Sequence, residues 1–483
     1  MNKIVALILT GLILLLAGCE WLELLPRDGL VVDEYWKKKE DVEATLMGAY
    51  QQFALMDEKL WLYGEIRADM IEAVLAPGYQ QQVMSSNIYS NNALCDWADF
   101  YKIINYCNNV INLAPEVRSV DNTFTEFQMV SYQSEAVFLR SLAYFYLVRI
   151  FGDVPYNIIP TTSDEIDFFI YKSSGDSVLT EVKKDLIKYR LTSPTEYGTL
   201  SENKGRATQS AMNALLADIC MWNFEYEEAI TYIEDIENSG LFFLNPTPEY
   251  IDIYNPGNSL ESIFELQFDG VEQVNSMYDY TYNQFYYTSS SQAVELLSPE
   301  EADEFTRGKI SFSTENTGYR IWKYVTAAAD QRTVRPQAKA RSCNFIIYRL
   351  SDILLLKAEA HSQIGEYSEA HQIISLIRAR ALVAQEELPG SAEALEDVIM
   401  EERAKELAFE GKRWFDLMRL GRRNNYARKN EVIEVAIRNA PSTLKLVLAS
   451  KLSNPQGWYL PIYEDELERN LNLVQNPYYD IEL

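Results

Sequence analysis

Cys19 closes the run Leu16-Ala17-Gly18-Cys19, directly after an apolar stretch from Ile4 to Leu16 that follows one charge, Lys3. A basic start, an apolar middle and small residues before a cut form the layout of a bacterial signal peptide. A cysteine at that place completes a lipobox. Residues 1–18 are the expected leader, and the Cys19 thiol is the expected acylation point and first residue of the mature chain. The apolar run is too short to span a ~30 Å hydrocarbon core as a helix. Attachment to a membrane would therefore rest on acyl chains, each buried CH₂ contributing ~0.8 kcal/mol.

A second group with chemical potential is a row of acids. Glu402, Glu406 and Glu410 recur every fourth residue in the stretch from Glu401 to Arg423, which reads as one helix, with Arg403, Arg413 and Arg419 within reach. A row of carboxylates suits a metal or acid–base work. No histidine or cysteine accompanies it, so a structural ion-pair network that seats Trp414 and Phe415 is the better reading. No segment marks two acids as a glycosidase pair. His361 and His371 lack ligand spacing and lie in a helical stretch, where packing is their expected role. Cys95, Cys107, Cys220 and Cys343 form no CxxC pair and read as buried free thiols. The chain has no Gly-rich phosphate loop after a strand, no GxSxG and no HExxH. Neither a cofactor nor a metal is expected.

A third group is aromatic and amide-rich. Sugars offer hydroxyl edges and weakly apolar C–H faces, which aromatic rings, amides and carboxylates can meet. The segment Tyr278–Tyr287 (YDYTYNQFYY) has that mix, with Tyr278, Tyr280, Tyr282, Asn283 and Tyr286 as candidate ligand contacts. The polar stretch Tyr79–Asn92 adds Tyr79, Gln81, Asn87 and Tyr89. Trp97 and Trp322 are weaker candidates. Trp97 opens an apolar helix, and Trp322 sits in YRIWKY, which suits strand packing. For any one of these tyrosines, packing is the commoner role. The mix as a whole suits neither core nor plain linker.

Helices must carry these residues. Asp41–Phe53 places Val42, Leu46, Ala49 and Phe53 on one stripe. Trp97–Leu113 and Phe127–Ile150 continue the pattern, the latter ending at Phe-Gly-Asp-Val-Pro, residues 151–155. Leu215–Ile236 and Leu356–Ile377 resemble each other. Each has an aromatic-x-x-Ala turn (Tyr226–Ala229, Tyr367–Ala370) and an alanine twelve residues before its end, Ala217 and Ala358. That is the small-residue spacing of tetratricopeptide helix pairs. Insertions interrupt them: the irregular Thr161–Tyr171, and Leu241–Leu350 with short β-like runs at Ser262–Phe268 and Phe345–Tyr348. The net charge of −28 repels phosphate backbones and argues against nucleic acid as a partner.

Several strings carry a resemblance. EERAKELAFEGKRWFDLMRLGR (401–422) resembles the signature of the SusD/RagB family of outer-membrane nutrient-binding lipoproteins. SEAVFLRSLAYFYLVRIFGDVP (134–155) is similar to that family's long helix and turn, and YWKKKEDVEATLMGAYQQF (35–53) to its first helix. The segment Arg349–Ala381 and the closing YLPIYEDELERNLNLVQNPYY (459–479) are similar to two more of its segments. The C-terminal proline cluster is partly replaced, and the acids after Cys19 are scattered rather than clustered. The resemblance implies a mainly α fold, with tetratricopeptide-like helix pairs packed against an irregular region with long loops and short strands. It implies two parts after the leader, 19–230 and 231–483, the second carrying the ligand-loop insertions. It further implies a non-enzymatic lipoprotein on the outer membrane that caps a TonB-dependent, SusC-like transporter and delivers an oligosaccharide for import. A peptide ligand, a scaffold without soluble ligand, and an envelope glycosidase are the rival readings.

Overall fold

The computed structural model describes residues 35–162, 169–298, 306–314, 318–328, 332–385, 387 and 389–480. Cys19 and the leader, and part of the Thr161–Tyr171 stretch, lie outside the described residues.

The N-terminal half is helical: α1 (Lys39–Ala54), α2 (Asp57–Glu65), a short β1 (Ile71–Ala73), α3 (Gly78–Met84), α4 (Ala98–Val120) and α5 (Glu126–Phe151). After β2 (Val154–Pro155) and β3 (Lys172–Ser173) come α6 (Gly175–Tyr189), α7 (Leu200–Gly205), α8 (Gln209–Trp222) and α9 (Tyr226–Asn238). The irregular region holds β4 (Ser262–Leu266), β5 (Tyr287–Ser289), α10 (Ser291–Leu297), α11 (Arg307–Ser311), β6 (Phe312–Ser313), β7 (Arg320–Ile321), α12 (Gln337–Ala340) and β8 (Phe345–Arg349). The chain then returns to helix: α13 (Leu350–Gln363), α14 (Tyr367–Arg380), α15 (Ala392–Glu406), α16 (Arg413–Tyr426), α17 (Lys429–Ala436), α18 (Ser442–Leu452) and α19 (Glu464–Arg469). The architecture is mainly α, with four two-stranded ladders among the described residues.

Both helix pairs read from the repeat are present, α8 with α9 and α13 with α14. Ala217, Ala229, Ala358 and Ala370 are fully buried where the helices meet. A larger side chain at any of them would push the helices apart. The longest helix, α5, opens on a capping box in which Thr125 and Gln128 bond each other's backbone N–H, and stops at Gly152 (φ +78°). From Ser134 to Phe151 every side chain of α5 is buried, so this helix is the axis of the main core. That core runs from Val42 to Leu473 as one apolar cluster.

Two helix readings need correction. α4 does not end near Leu113 but runs through Pro115 to Val120. Proline cannot donate to the carbonyl of Ile111, and Gln133 of α5 donates there instead, at 2.8 Å. The stretch Glu401–Arg423 is two helices, not one. Trp61 Nε1 and the Tyr324 hydroxyl each donate to the Phe409 carbonyl at 2.8 Å, and Gly411 N donates to Glu65 Oε1 at 2.8 Å. These partners draw the backbone out of the helix at Phe409 (φ +65°) and Gly411 (φ +73°).

The β-like runs at Ser262 and Phe345 pair antiparallel with each other, and Arg349 ends that ladder opposite Ser262. There Arg349 enters a buried charge cluster. Its guanidinium bonds Glu261 at 2.6 Å, Glu406 at 2.7 Å, and Glu410 through two nitrogens at 2.8 and 2.9 Å. Arg380 and Arg307 also reach Glu406, Arg307 and Arg378 reach Glu402, and Lys323 reaches Glu410 at 2.9 Å. Burial pushes the Glu406 carboxyl up, but Arg380, Arg349 and Arg307 outweigh it and hold that carboxyl well below the usual range. The row Glu402, Glu406, Glu410 is thus an ion-pair network. Arg403, Arg413 and Arg419 extend it to Asp352, Asp69 and Glu359.

Removing one partner of a buried pair leaves the other charge uncompensated. Arg349→Met is expected to lower the unfolding free energy by about 3–5 kcal/mol. Arg469→Ala, which breaks the exposed pair with Asp465, should cost under about 1 kcal/mol. Urea melts of the two variants check the contrast.

Candidate functional site

The first residues of one polar-aromatic segment, Tyr79 and Gln80, meet the tyrosine segment at one face. β1 pairs with β5 in the register Ile71 to Ser289, Glu72 to Thr288 and Ala73 to Tyr287, which draws the chain before α3 against the end of the tyrosine segment. Val74 N extends this ladder to the Tyr286 carbonyl at 2.8 Å. Ser289 N in turn donates to the Tyr319 carbonyl at 2.7 Å, so β7 lies beside β5. Residues Asp279–Asn283 form a turn of π-helix, which lets Tyr278 and Tyr282 meet at 5.6 Å between ring centroids.

At one end of this face, hydroxyls and amides surround a carboxylate. The Tyr79 hydroxyl donates to Glu58 Oε1 at 3.4 Å, Gln80 Nε2 donates to the Tyr79 oxygen at 3.0 Å, and the Tyr287 hydroxyl donates to Gln80 Oε1 at 2.6 Å. The Tyr280 hydroxyl also reaches Glu58 and Gln80. Burial, and then the Glu58 carboxylate, raise the hydroxyl pKa values of Tyr79 and Tyr280, so both stay protonated as donors. Tyr286 packs edge-on against Tyr280 at 5.1 Å. At the other end, Tyr282 lies over Trp322 at 6.3 Å, and the Arg320 guanidinium sits over the rings of Tyr282 and Phe285.

The sequence candidates therefore separate. Tyr79, Tyr282 and Tyr286 are half-buried with ring surface at the face, and Asn283 is exposed beside them. Tyr278 and Tyr280 are 9% exposed and hold that face from beneath. Trp322 is 1% exposed and backs Tyr282 instead of offering its own ring. Gln81 donates to the Ala76 carbonyl at 2.7 Å and lines a cleft of about 460 Å³ with Glu72, Asn439 and Leu444. Asn87 and Tyr89 bond each other at 3.1 Å and meet α18 through Lys451. Trp97 is buried against Phe151, at the edge of a second cleft of about 410 Å³ lined by Tyr101, Asn157 and Asn470. Sequence reasoning missed Glu58, Phe285, Tyr319 and Arg320. Glu58, near the start of α2, is 21 residues from Tyr79 but more than two hundred from Tyr280, and no local pattern marks it.

The one group of metal-type ligands found among the described residues is Cys220, Glu225 and Glu228. The Lys183 ammonium already sits there, 2.7 Å from Glu225 and 2.5 Å from Glu228. The four described cysteines are free and buried. No helix of the described residues is long and apolar enough to cross a membrane.

Residues 221–479, more than half of the chain, match the family profile described as the SusD family. The chain belongs to the SusD family. Residues 20–221 match a second profile, described as starch-binding associating with outer membrane. SusD-like protein P38 of Formosa agariphila is 27% identical over 476 residues, covering 87% of this chain and 92% of its own. A SusD-like protein of Bacteroides ovatus is 22% identical over 465 residues, covering 86% and 82%. Among solved structures, a SusD superfamily protein from Bacteroides vulgatus superposes with a TM-score of 0.75 at 20% identity, over 92% of this chain and all of that one. Surface glycan-binding protein A from Bacteroides thetaiotaomicron in complex with laminarihexaose superposes with a TM-score of 0.71 at 20% identity, over 91% and 100%. At such identities the likeness establishes the SusD fold.

One buried acid tethers the SusD-family face to the core. Ser276, just before the tyrosine segment, donates its N–H and hydroxyl to Asp57 of α2 at 2.6 and 3.0 Å. Burial raises the Asp57 carboxyl from 3.8 to about 7, against the lowering effect of the Ser276 bonds. The folded state thus favours the protonated acid. This contribution to stability is complete below about pH 4 and is lost as pH rises through about 7. Asp57→Asn keeps an acceptor for the Ser276 N–H and turns its amide N–H toward the Ser276 hydroxyl, without a titrating proton. Relative to the parent it is expected to gain on the order of 3 kcal/mol between about pH 4 and pH 8, read from melting curves across that range.

Proposed function

We propose that the protein is a surface-tethered, non-catalytic glycan-binding lipoprotein that caps a TonB-dependent transporter of the outer membrane and passes oligosaccharide to it. The observation that carries the glycan reading is the face formed by Tyr79, Tyr282 and Tyr286 with Glu58, Asn283 and Gln284. Rings at this face suit the C–H sides of pyranoses, and the amides and carboxylate suit their hydroxyl edges. The rings are held by neighbouring rings and hydrogen bonds, so little side-chain freedom remains to be lost on binding. Family membership supports the reading, as does the likeness to a surface glycan-binding protein solved with laminarihexaose. The name of the N-terminal profile, which speaks of outer-membrane association, supports the location.

The non-catalytic part rests on the acids. The recurring carboxylates of the signature stretch are sealed by arginines inside the core, where neither water nor a glycosidic bond can reach them. Binding to a mobile polysaccharide by one shallow face is expected to be modest.

Tyr282→Ala and Tyr286→Ala, each removing a stacking ring, should weaken binding of the preferred polysaccharide about tenfold. The double variant should approach background. Titration calorimetry against a panel of polysaccharides and peptides reads this directly. Binding confined to peptides would replace the glycan reading, and binding untouched by the double variant would move the site elsewhere. Cys19→Ala should shift the chain from the membrane fraction to the soluble one on fractionation, since acylation at that thiol is the proposed attachment.

A further inference from the structure

The basic side chains of this acidic protein are largely spoken for. Arg341, on the far side of the tyrosine segment, is neutralised by Asp279 at 2.8 Å. Arg307, Arg349, Arg380, Arg403, Arg413 and Arg419 are locked into buried pairs with carboxylates. Arg67 and Arg335 are buried and bond backbone carbonyls through their terminal nitrogens.

Arg320 differs from all of them. It opens β7 at the edge of the tyrosine face and is only half-buried. Its guanidinium carbon lies 4.9 Å from the ring centre of Tyr282 and 4.6 Å from that of Phe285. One nitrogen, Nη1, donates to the Tyr282 carbonyl at 3.3 Å. Among the described residues it has no carboxylate partner. Asn283, Gln284 and Tyr319, which lie beside it or its ring partners in the chain, are exposed and uncharged, and Asp279 of the π-helical turn is paired with Arg341. Stacking holds the plane of a guanidinium in place and leaves its in-plane N–H edge as the route for further bonds. Such an edge matches two oxygens of one planar or tetrahedral oxyanion.

Resting on the glycan reading above, we propose that Arg320 makes this face selective for acidic glycans, by pairing its free edge with a uronate carboxylate or sulfate ester of a sugar stacked on Tyr282. The protein's net charge of −28 does not forbid this. At physiological ionic strength the Debye length is about 8 Å, so distant acids are screened and the nearest charge decides. Glu58 lies with Tyr79 and Tyr280 at the opposite end of the face, which gives the ligand a direction. The charged sugar meets Arg320, and a hydroxyl edge meets Glu58.

Pairs of polymers that share a backbone and differ in charge test this. Polygalacturonate is compared with fully methyl-esterified homogalacturonan, and ι-carrageenan with its desulfated form, each by affinity electrophoresis and calorimetry. The parent protein is expected to bind the acidic member of one pair about tenfold tighter than its neutral member, and the pair that responds tells carboxylate from sulfate. Arg320→Gln, which keeps the stacking shape, should erase that gap. Arg320→Lys should keep part of it, and unchanged melting curves for both variants show that the fold is intact. A parent protein with no gap in either pair, or a gap that survives in Arg320→Gln, overturns the proposal. If neutral polysaccharides from the panel still bind in that case, the glycan reading stands and only the acidic preference falls. If the parent binds no glycan at all, the glycan reading falls and this proposal with it.

Discussion

The Arg349 guanidinium is the point on which the rest of the molecule is assembled. It ends the β4–β8 ladder and gathers Glu261 from one distant stretch of chain and Glu406 and Glu410 from another. Each of these groups would be prohibitively costly to bury alone. Together with Arg380, Arg307 and Lys323 they fix where the irregular region sits against the C-terminal helices, because charges so enclosed tolerate only the arrangement that pairs them. An apolar contact would allow sliding, whereas this cluster sets a register.

From that cluster the turn Phe409–Gly411 leads straight to α2, and α2 leads to the tyrosine face. Trp61 of α2 donates to the Phe409 carbonyl and packs edge-on against Tyr287 at 5.5 Å. Glu58, on the same helix, meets the hydroxyls of Tyr79 and Tyr280, and Asp57 holds Ser276. A nine-residue helix thus links the buried charges on one side to the proposed binding face on the other. The face owes its position to the core, even though most of its residues lie in loops and a π-helical turn.

The helical frame was legible in the sequence because periodicity reports burial. The stripes at Val42, Leu46 and Phe53, the repeated alanines of the two helix pairs, and the β-like runs at Ser262 and Phe345 all correspond to what folds. Local pattern failed where a distant group overrules it. The helix read to Leu113 continues because Gln133 supplies the partner that Pro115 lacks, and the stretch Glu401–Arg423, read as one helix, breaks because Trp61 and Tyr324 claim the Phe409 carbonyl. The tyrosine- and amide-rich stretches behind the proposed face were legible. Which rings would line it was not, since Trp97, Trp322, Tyr278 and Tyr280 owe their burial to packing from elements far away in sequence. Glu58 and Arg320 join the face only through the tertiary fold.

Gly64 packs directly against the Gly411 carbonyl: a methyl group built on Gly64 would stand 1.8 Å from that oxygen. No rotamer can relieve such a clash, because the obstructing atom is main chain. Even the smallest substitution there must lever α2 away from the turn, and with it the acid and the indole that brace the outer surface. Position 64 therefore couples sequence drift in the interior to what the exterior can recognise: a neutral mutation is denied at a residue that touches no ligand.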